Sequence, residues 1–200
     1  MELYKPKIRS NTIYVALLAV LTALTTVATI IIAIPFPTSS GFLNFGDALV
    51  MLSGILLGPV GGFIAGGLGS SMGDIALGYV HFAPITFVVK GCEGLVIGMF
   101  SHRAHSSRHL TKWDVVGLVI SSLVMMTGYF LAEIPLVGYG AALAELVTLN
   151  WIQVTVGSIV AAIVGPVIRG FLKDTLYLFE DDDLIVEQNE QFDASPERAT

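Results

Sequence analysis

Charged side chains are scarce in this sequence. Asp, Glu, Lys and Arg together make up 13% of the 200 residues, about half of their usual share in soluble domains. Hydrophobic residues make up 54% of the chain, and the mean hydropathy is +0.78. This composition excludes an ordinary soluble domain and indicates an integral membrane protein. No basic patch is present, so the sequence also argues against a nucleic-acid partner.

Cysteine and several chemical motifs are also lacking. The single cysteine, Cys92, lies in an apolar run and cannot form an intrachain disulfide. No nucleophile–base constellation and no metal-ligand spacing occurs within the apolar segments, so we predict no catalytic residue, metal or cofactor. The pattern G-x-x-x-x-G-K-[ST] is absent, so ATP-driven transport would require ATPase subunits from other chains.

Summed over the body of the chain, positive and negative charges nearly balance, but the C-terminus is acidic. Residues 180–200 contain eight acids and one base, a net charge of −7, whereas the net charge of the whole chain is −6. The body of the protein is therefore close to neutral. A segment with so many like charges favours disorder, so we expect residues 173–200 to form an acidic, disordered tail.

Six apolar segments follow one another along the chain, and a membrane-spanning helix needs about 20 such residues. The second segment is short, and the first is too long for the apolar core of a signal peptide. The segments are Thr12–Ile34, Asp47–Leu57, Val60–Tyr79, Phe82–Phe100, Val115–Leu131 and Leu146–Ile168. We therefore predict an all-α membrane protein with six transmembrane helices in one domain, 12–172, after a short N-terminal segment, 1–11.

Basic residues predict the orientation of these helices. They cluster before the first segment, between the fourth and fifth, and after the last, namely at Lys5, Lys7, Arg9, Arg103, Arg108, Lys112, Arg169 and Lys173. With six spans all three clusters fall on one side, which the positive-inside rule makes cytoplasmic. Both termini are then expected in the cytoplasm of a multi-pass plasma-membrane protein.

Small residues form stripes on two of the predicted helices. Ala16, Ala19 and Ala23 recur at helical spacing on the first one, and Gly54, Gly58, Gly62 and Gly66 recur on the second and third. Small residues let helix backbones approach closely in lipid. The glycines favour internal packing. The alanine stripe fits either internal packing or docking of a separate membrane subunit.

Polar residues inside apolar segments are costly and suggest function. Lys90 and Glu93 are three residues apart and can form an ion pair, which serves either structure or binding. Glu133 and Tyr129 share one helix face near the outer side, and Asn150, Trp151 and Gln153 begin the last segment there. Tyr79 lies in the neighbouring loop, where it belongs either to an interfacial aromatic belt or to the same region. Together they predict an outward-facing pocket for a small polar ring.

Several stretches of the sequence resemble one known family. They are Ala19-x-x-x-Ala23, FLNFGDALVMLSGILLGPVGGFIAGGLGSSMGDIALGY (42–79), FAPITFVVKGCEGLVIG (82–98), GYFLAEIPLVGYG (128–140) and NWIQVTVG (150–157). Over residues 12–172 the chain resembles the substrate-binding S components of energy-coupling factor (ECF) vitamin transporters. It is most similar to members assigned to hydroxymethylpyrimidine or vitamin B6 compounds, and members assigned to riboflavin overlap in pattern.

The resemblance implies a function for several residues. By motif position, Asn44, Lys90, Glu133, Asn150 and Gln153 would contact substrate, and helical geometry adds Tyr129 and Trp151 to that set. The alanine stripe would dock a transmembrane coupling subunit, which works with two ATPase subunits, and the S component would topple in the membrane to release its substrate inward. The chain would thus be a transporter subunit rather than an enzyme. A self-contained carrier or a polytopic membrane enzyme remains the alternative.

Overall fold

A computed structural model describes residues 11–35, 42–102 and 109–176. The predicted N-terminal segment lies outside the described residues except for its last residue, and so does the acidic tail after residue 176. Arg103 and Arg108 also lie outside them, together with Lys5, Lys7 and Arg9, so much of the charge pattern that predicts the orientation is not described.

The described chain is nearly all helical. Its helices are α1 (Asn11–Ile31), α2 (Gly46–Ala76), α3 (Ala83–Ser101), α4 (Lys112–Val137), α5 (Tyr139–Glu145) and α6 (Trp151–Leu176), with a π-helical turn, Leu146–Asn150, between the last two. Two short strands, β1 (Ile34–Pro35) and β2 (Phe42–Leu43), pair antiparallel between α1 and α2. We call the end of the bundle that carries these strands the strand end.

Five described helical stretches are long and apolar enough to cross a membrane. They are Thr12–Ile31, Gly46–Ala76, Ala83–Ser101, Lys112–Val137 and Tyr139–Asp174. The last one includes α5, the π-helical turn and α6. The described chain thus contains five helical stretches of membrane-spanning length, whereas the sequence predicts six segments.

The difference in number arises at Gly58, inside α2. Gly58 has φ 74° and ψ −169°, a conformation that glycine adopts without steric cost, and Pro59 restarts the helix after it. A methyl group added at Gly66 would lie 2.8 Å from Cγ1 of Val50, although sixteen residues of straight helix measure about 24 Å. The parts 46–57 and 59–76 therefore fold back on each other. The predicted second and third segments correspond to these two parts.

The region after α4 differs from its prediction. The sequence predicts an apolar segment that ends at Leu131, but α4 runs through Pro135 to Val137. Proline removes one backbone hydrogen bond, and only two residues of α4 follow Pro135. The chain turns at Gly138, where φ is 87°. The following residues form α5, whereas the next apolar segment is predicted to begin only at Leu146.

One face of α1 packs against α2 through threonines. Thr25 and Thr29 are buried, and the Thr26 hydroxyl donates a hydrogen bond of 2.9 Å to the carbonyl oxygen of Gly69. The opposite face of α1 is exposed and includes Ala16, Ala19 and Ala23. Within the described chain, the alanine stripe is thus not used for internal packing.

A buried ion pair joins α4 and α6 at the end opposite the strands. Both terminal nitrogens of Arg169 donate to the Asp114 carboxylate at 2.9 Å, and the Arg169 side chain is only 1% exposed. Asp114 also forms a capping box with Thr111 at the start of α4. From the sequence Arg169 is only a membrane-flanking charge, whereas in the structure it is part of the helix packing.

Candidate functional site

A cavity opens at the strand end of the bundle. Its empty volume, including the open space at its mouth, is about 390 Å³. The lining residues come from β2, the helices around it and the π-helical turn. They are Phe42, Asn44, Asp74, Phe82, Thr86, Tyr129, Glu133, Glu145, Asn150 and Gln153.

Five of the eight predicted substrate residues line this cavity: Asn44, Tyr129, Glu133, Asn150 and Gln153. The structure brings them together from three separate parts of the chain. The other three predicted residues, Tyr79, Lys90 and Trp151, are not part of this lining.

Lys90 lies below the cavity in a buried charge cluster, which we call the floor cluster: Asp47, Lys90, Glu93 and Gln153. Its ammonium group forms ion pairs with Asp47 and, at 3.3 Å, with Glu93. Gln153 Nε2 donates a hydrogen bond of 3.2 Å to the same Asp47 oxygen. The predicted Lys90–Glu93 pair is therefore present, but Asp47 also takes part, and sequence analysis did not assign it to the site.

Local backbone geometry places Asp47 in the floor cluster. The Asn44 side-chain oxygen accepts a hydrogen bond of 2.8 Å from the Gly46 amide, a turn typical of Asn before a helix. The Asn44 amide in turn donates to Gln153 Oε1 at 3.1 Å. A methyl group at Gly46 would lie 2.5 Å from the Thr29 hydroxyl oxygen, so only glycine fits there. The Asn-Phe-Gly-Asp motif thus joins the start of α2 to α6.

Tyr79 and Trp151 lie outside the cavity lining. The Tyr79 ring packs on Phe42, with 4.8 Å between the ring centroids. Tyr79 thus contacts a residue of the lining without lining the cavity itself. Trp151 is 54% exposed and borders an apolar groove between α4 and α6. From helical spacing alone, Trp151 was expected to face the site beside Asn150 and Gln153.

One part of the cavity lining combines two hydroxyl groups with a carboxylate. The Tyr129 hydroxyl donates a hydrogen bond of 3.0 Å to Thr86 Oγ1, and Asp74 lines the cavity beside them. The Tyr129 ring also lies over the Lys90 ammonium group, 5.5 Å from its centroid. In the sequence Asp74 is visible only as an ionisable residue near a helix end.

Another part of the lining contains two carboxyl groups. Glu133, from α4, and Glu145, at the end of α5, both line the cavity, and both are buried. Sequence analysis missed Glu145 because α-helical periodicity does not bring residues 145 and 150 to one face. The π-helical turn Leu146–Asn150 brings residues five apart nearly above one another. Both side chains consequently line the cavity.

Several polar atoms in the cavity wall have no hydrogen-bond partner within the described part of the chain. They are Asp74 Oδ2, Glu133 Oε2, Glu145 Oε1 and Asn150 Nδ2. Buried polar groups in folded proteins almost always have partners. Beside the rings of Phe42, Phe82 and Tyr129, these atoms suit a small aromatic ligand with polar substituents.

Comparisons with known proteins identify the family of this chain. Residues 9–177 match the family of the S component of ECF-type riboflavin transporters. The thiamine precursor transporter HmpT of Lactococcus lactis is 30% identical over 76% of this chain and 86% of its own length. An uncharacterized protein of Pyrococcus woesei is 37% identical over 72% of this chain and 93% of its own length.

Solved structures share the fold. The S component of a bacterial ECF transporter superposes with a TM-score of 0.60 at 23% identity, over 82% of this chain and 99% of the other. The S component for biotin of an ECF-type transporter superposes with a TM-score of 0.59 at 20% identity, over 85% and 98%. The resemblance inferred from the sequence is thereby confirmed. This membrane protein belongs to the family of ECF transporter S components, which are transporter subunits and not enzymes.

Proposed function

We propose that this chain captures a small heteroaromatic vitamin precursor, of the hydroxymethylpyrimidine or vitamin B6 type, on the outer side of the plasma membrane. The observation that carries the proposal is the cavity at the strand end. Aromatic faces and unpartnered polar atoms meet there around a space that fits one ring with polar substituents. The similarity to a thiamine precursor transporter supports the same ligand class.

Riboflavin is the second candidate, because the matching family is described by that vitamin. Riboflavin has three fused rings and a sugar-alcohol chain, and the 390 Å³ of the cavity includes the open space at its mouth. This space therefore favours the smaller ligands. A direct comparison of ligands decides between the two candidates.

Binding by the purified protein tests the proposal. We expect hydroxymethylpyrimidine or a B6 vitamer to bind in calorimetry and to raise the melting temperature more than riboflavin does. Asn150→Ala and Glu133→Ala should each weaken binding about tenfold, because each removes a buried polar partner of the ligand. Tyr139→Phe, at an exposed position outside the cavity, is the control. Unchanged affinity in both alanine variants would refute the site.

We also propose six membrane-embedded segments with both termini in the cytoplasm. The fold-back of α2 at Gly58 supports this arrangement, because two antiparallel parts return the chain to the side from which it came. In a Cys92→Ser background, cysteine at Gly140 should react with an impermeant maleimide added outside intact cells. Cysteine at Asp174 should react only after permeabilisation. The opposite pattern would reverse the orientation.

For transport, we propose that the chain works with a transmembrane coupling subunit and two ATPase subunits. The exposed face of α1 with Ala16, Ala19 and Ala23 is the proposed docking surface for the coupling subunit. Small side chains on a lipid-facing helix allow another helix to approach closely.

A further inference from the structure

Around the cavity, acidic side chains strongly outnumber basic ones. Five described carboxyl groups line the cavity or its floor cluster, from Asp47, Asp74, Glu93, Glu133 and Glu145. In the described part of the chain, Lys90 is the only Lys or Arg at this end, since the remaining ones belong to the ends of α4 and α6 opposite the strands. Residues 36–41, between the two strands, contain no charged side chain either.

Lys90 is paired within the floor cluster, which leaves the cavity walls without a cation. Its ammonium group forms ion pairs with Asp47 and Glu93, which lie below the cavity. No described basic residue pairs with Asp74, Glu133 or Glu145. These three side chains are each at most 4% exposed. Water therefore solvates their carboxyl groups poorly.

Most of the unpartnered atoms in the cavity wall are hydrogen-bond acceptors. Three of the four in the wall are carboxylate oxygens, which accept hydrogen bonds, and Asn150 Nδ2 is the one donor. Glu133 Oε2 and Glu145 Oε1 both belong to the cavity lining and have no partner among the described residues. An N–H group of a ligand can donate a hydrogen bond to either oxygen when the site is occupied.

Resting on the proposed function, we infer that Asp74, Glu133 and Glu145 make this site selective for ligands with an amino group. The amine donates hydrogen bonds to the carboxyl pair, and Asn150 donates to a ring nitrogen or hydroxyl group of the same ligand. Vitamers that carry a phosphate or carboxylate group are excluded by repulsion from the same three side chains. Asp74 and Glu145, which the sequence does not assign to the site, are thereby specificity-determining residues.

Matched ligand pairs test this inference on the full-length protein in detergent. The first pair is 4-amino-5-hydroxymethyl-2-methylpyrimidine and its 4-oxo analogue, which has a carbonyl group in place of the amine. The second is pyridoxamine and pyridoxine. We expect the amine of whichever pair binds to bind about tenfold more tightly than its partner, and we expect the phosphate ester of the pyrimidine not to bind.

The Glu145→Gln variant provides the second measurement, because an amide of the same shape replaces an acceptor oxygen by a donor. It should reduce the preference for the amine severalfold and improve binding of the 4-oxo analogue, whereas Tyr139→Phe should change neither. Equal affinity within both pairs, or tight binding of the phosphate ester, would overturn the inference and leave the proposed function intact. If none of these compounds binds, or if riboflavin alone does, the proposed function itself fails.

Discussion

At the scale of single residues, Lys90 determines how charge is distributed below the cavity. It is 1% exposed and lies between two carboxylates contributed by different helices, Asp47 and Glu93. A buried charge is tolerable only while it is paired. Sequence analysis identified Lys90 as a substrate contact, whereas its position in the structure favours an indirect role in which it holds the floor cluster together.

Replacing Lys90 should therefore reduce stability more than a surface change would. Lys90→Met leaves two buried carboxylates without a cation, and the expected loss is about 3–5 kcal/mol of unfolding free energy. Thermal and denaturant unfolding in detergent measure this loss. The double variant Lys90→Met/Asp47→Asn should recover part of it, because one uncompensated charge is removed. A Lys90→Met protein as stable as the parent would contradict the described ion pairs.

At the scale of elements, the glycines of α2 set the distance between α2 and α3. A methyl group on Gly54 would lie 2.5 Å from the carbonyl oxygen of Gly94 and equally close to Cγ2 of Ile97. The predicted internal packing of these glycines is therefore found, with backbone against backbone. This contact positions Lys90 and Glu93 of α3 beside Asp47 of α2.

Gly54→Ala should separate the two helices and destabilise the protein by about 1–3 kcal/mol. Gly140→Ala is the matched control, since no atom lies within 4 Å of the added methyl group and alanine favours the helical conformation. Unfolding curves of the two variants give the comparison. If Gly54→Ala were as stable as Gly140→Ala, the close approach of α2 and α3 would be incorrect.

At the scale of the whole molecule, the two faces of α1 differ in their surroundings. The threonine face packs against α2, whereas the alanine face is exposed within the described chain. The cavity lies at the strand end, away from most of this face. The proposed substrate binding and the proposed partner docking can therefore be disrupted separately.

The double variant Ala19→Trp/Ala23→Trp should prevent co-purification with the coupling subunit, because two indole rings keep the helices apart. Ligand affinity should remain within about twofold of the parent, since the cavity is untouched. Ile163→Trp, at an exposed site on α6, is the control and should retain the complex. Normal assembly of the double variant would place the docking surface elsewhere.

The sequence by itself determined the membrane class, the approximate position of each apolar segment and the family. These follow from composition and from local features such as the Gly58-Pro59 break. It also identified five residues that line the cavity, because they lie near segment ends that converge at one side. The end of the fifth segment was placed too early, at Leu131, since a proline near a helix end need not stop the helix.

Only the tertiary structure decided which polar groups meet. Asp47 and Lys90 are distant in sequence and pair because glycines bring α2 and α3 together. Glu145 reaches the cavity through a π-helical turn, and Trp151 faces away from it. The physical reason is that a buried charge pairs with whatever helix packing places beside it. Spacing along the chain predicts neighbours only within one regular helix.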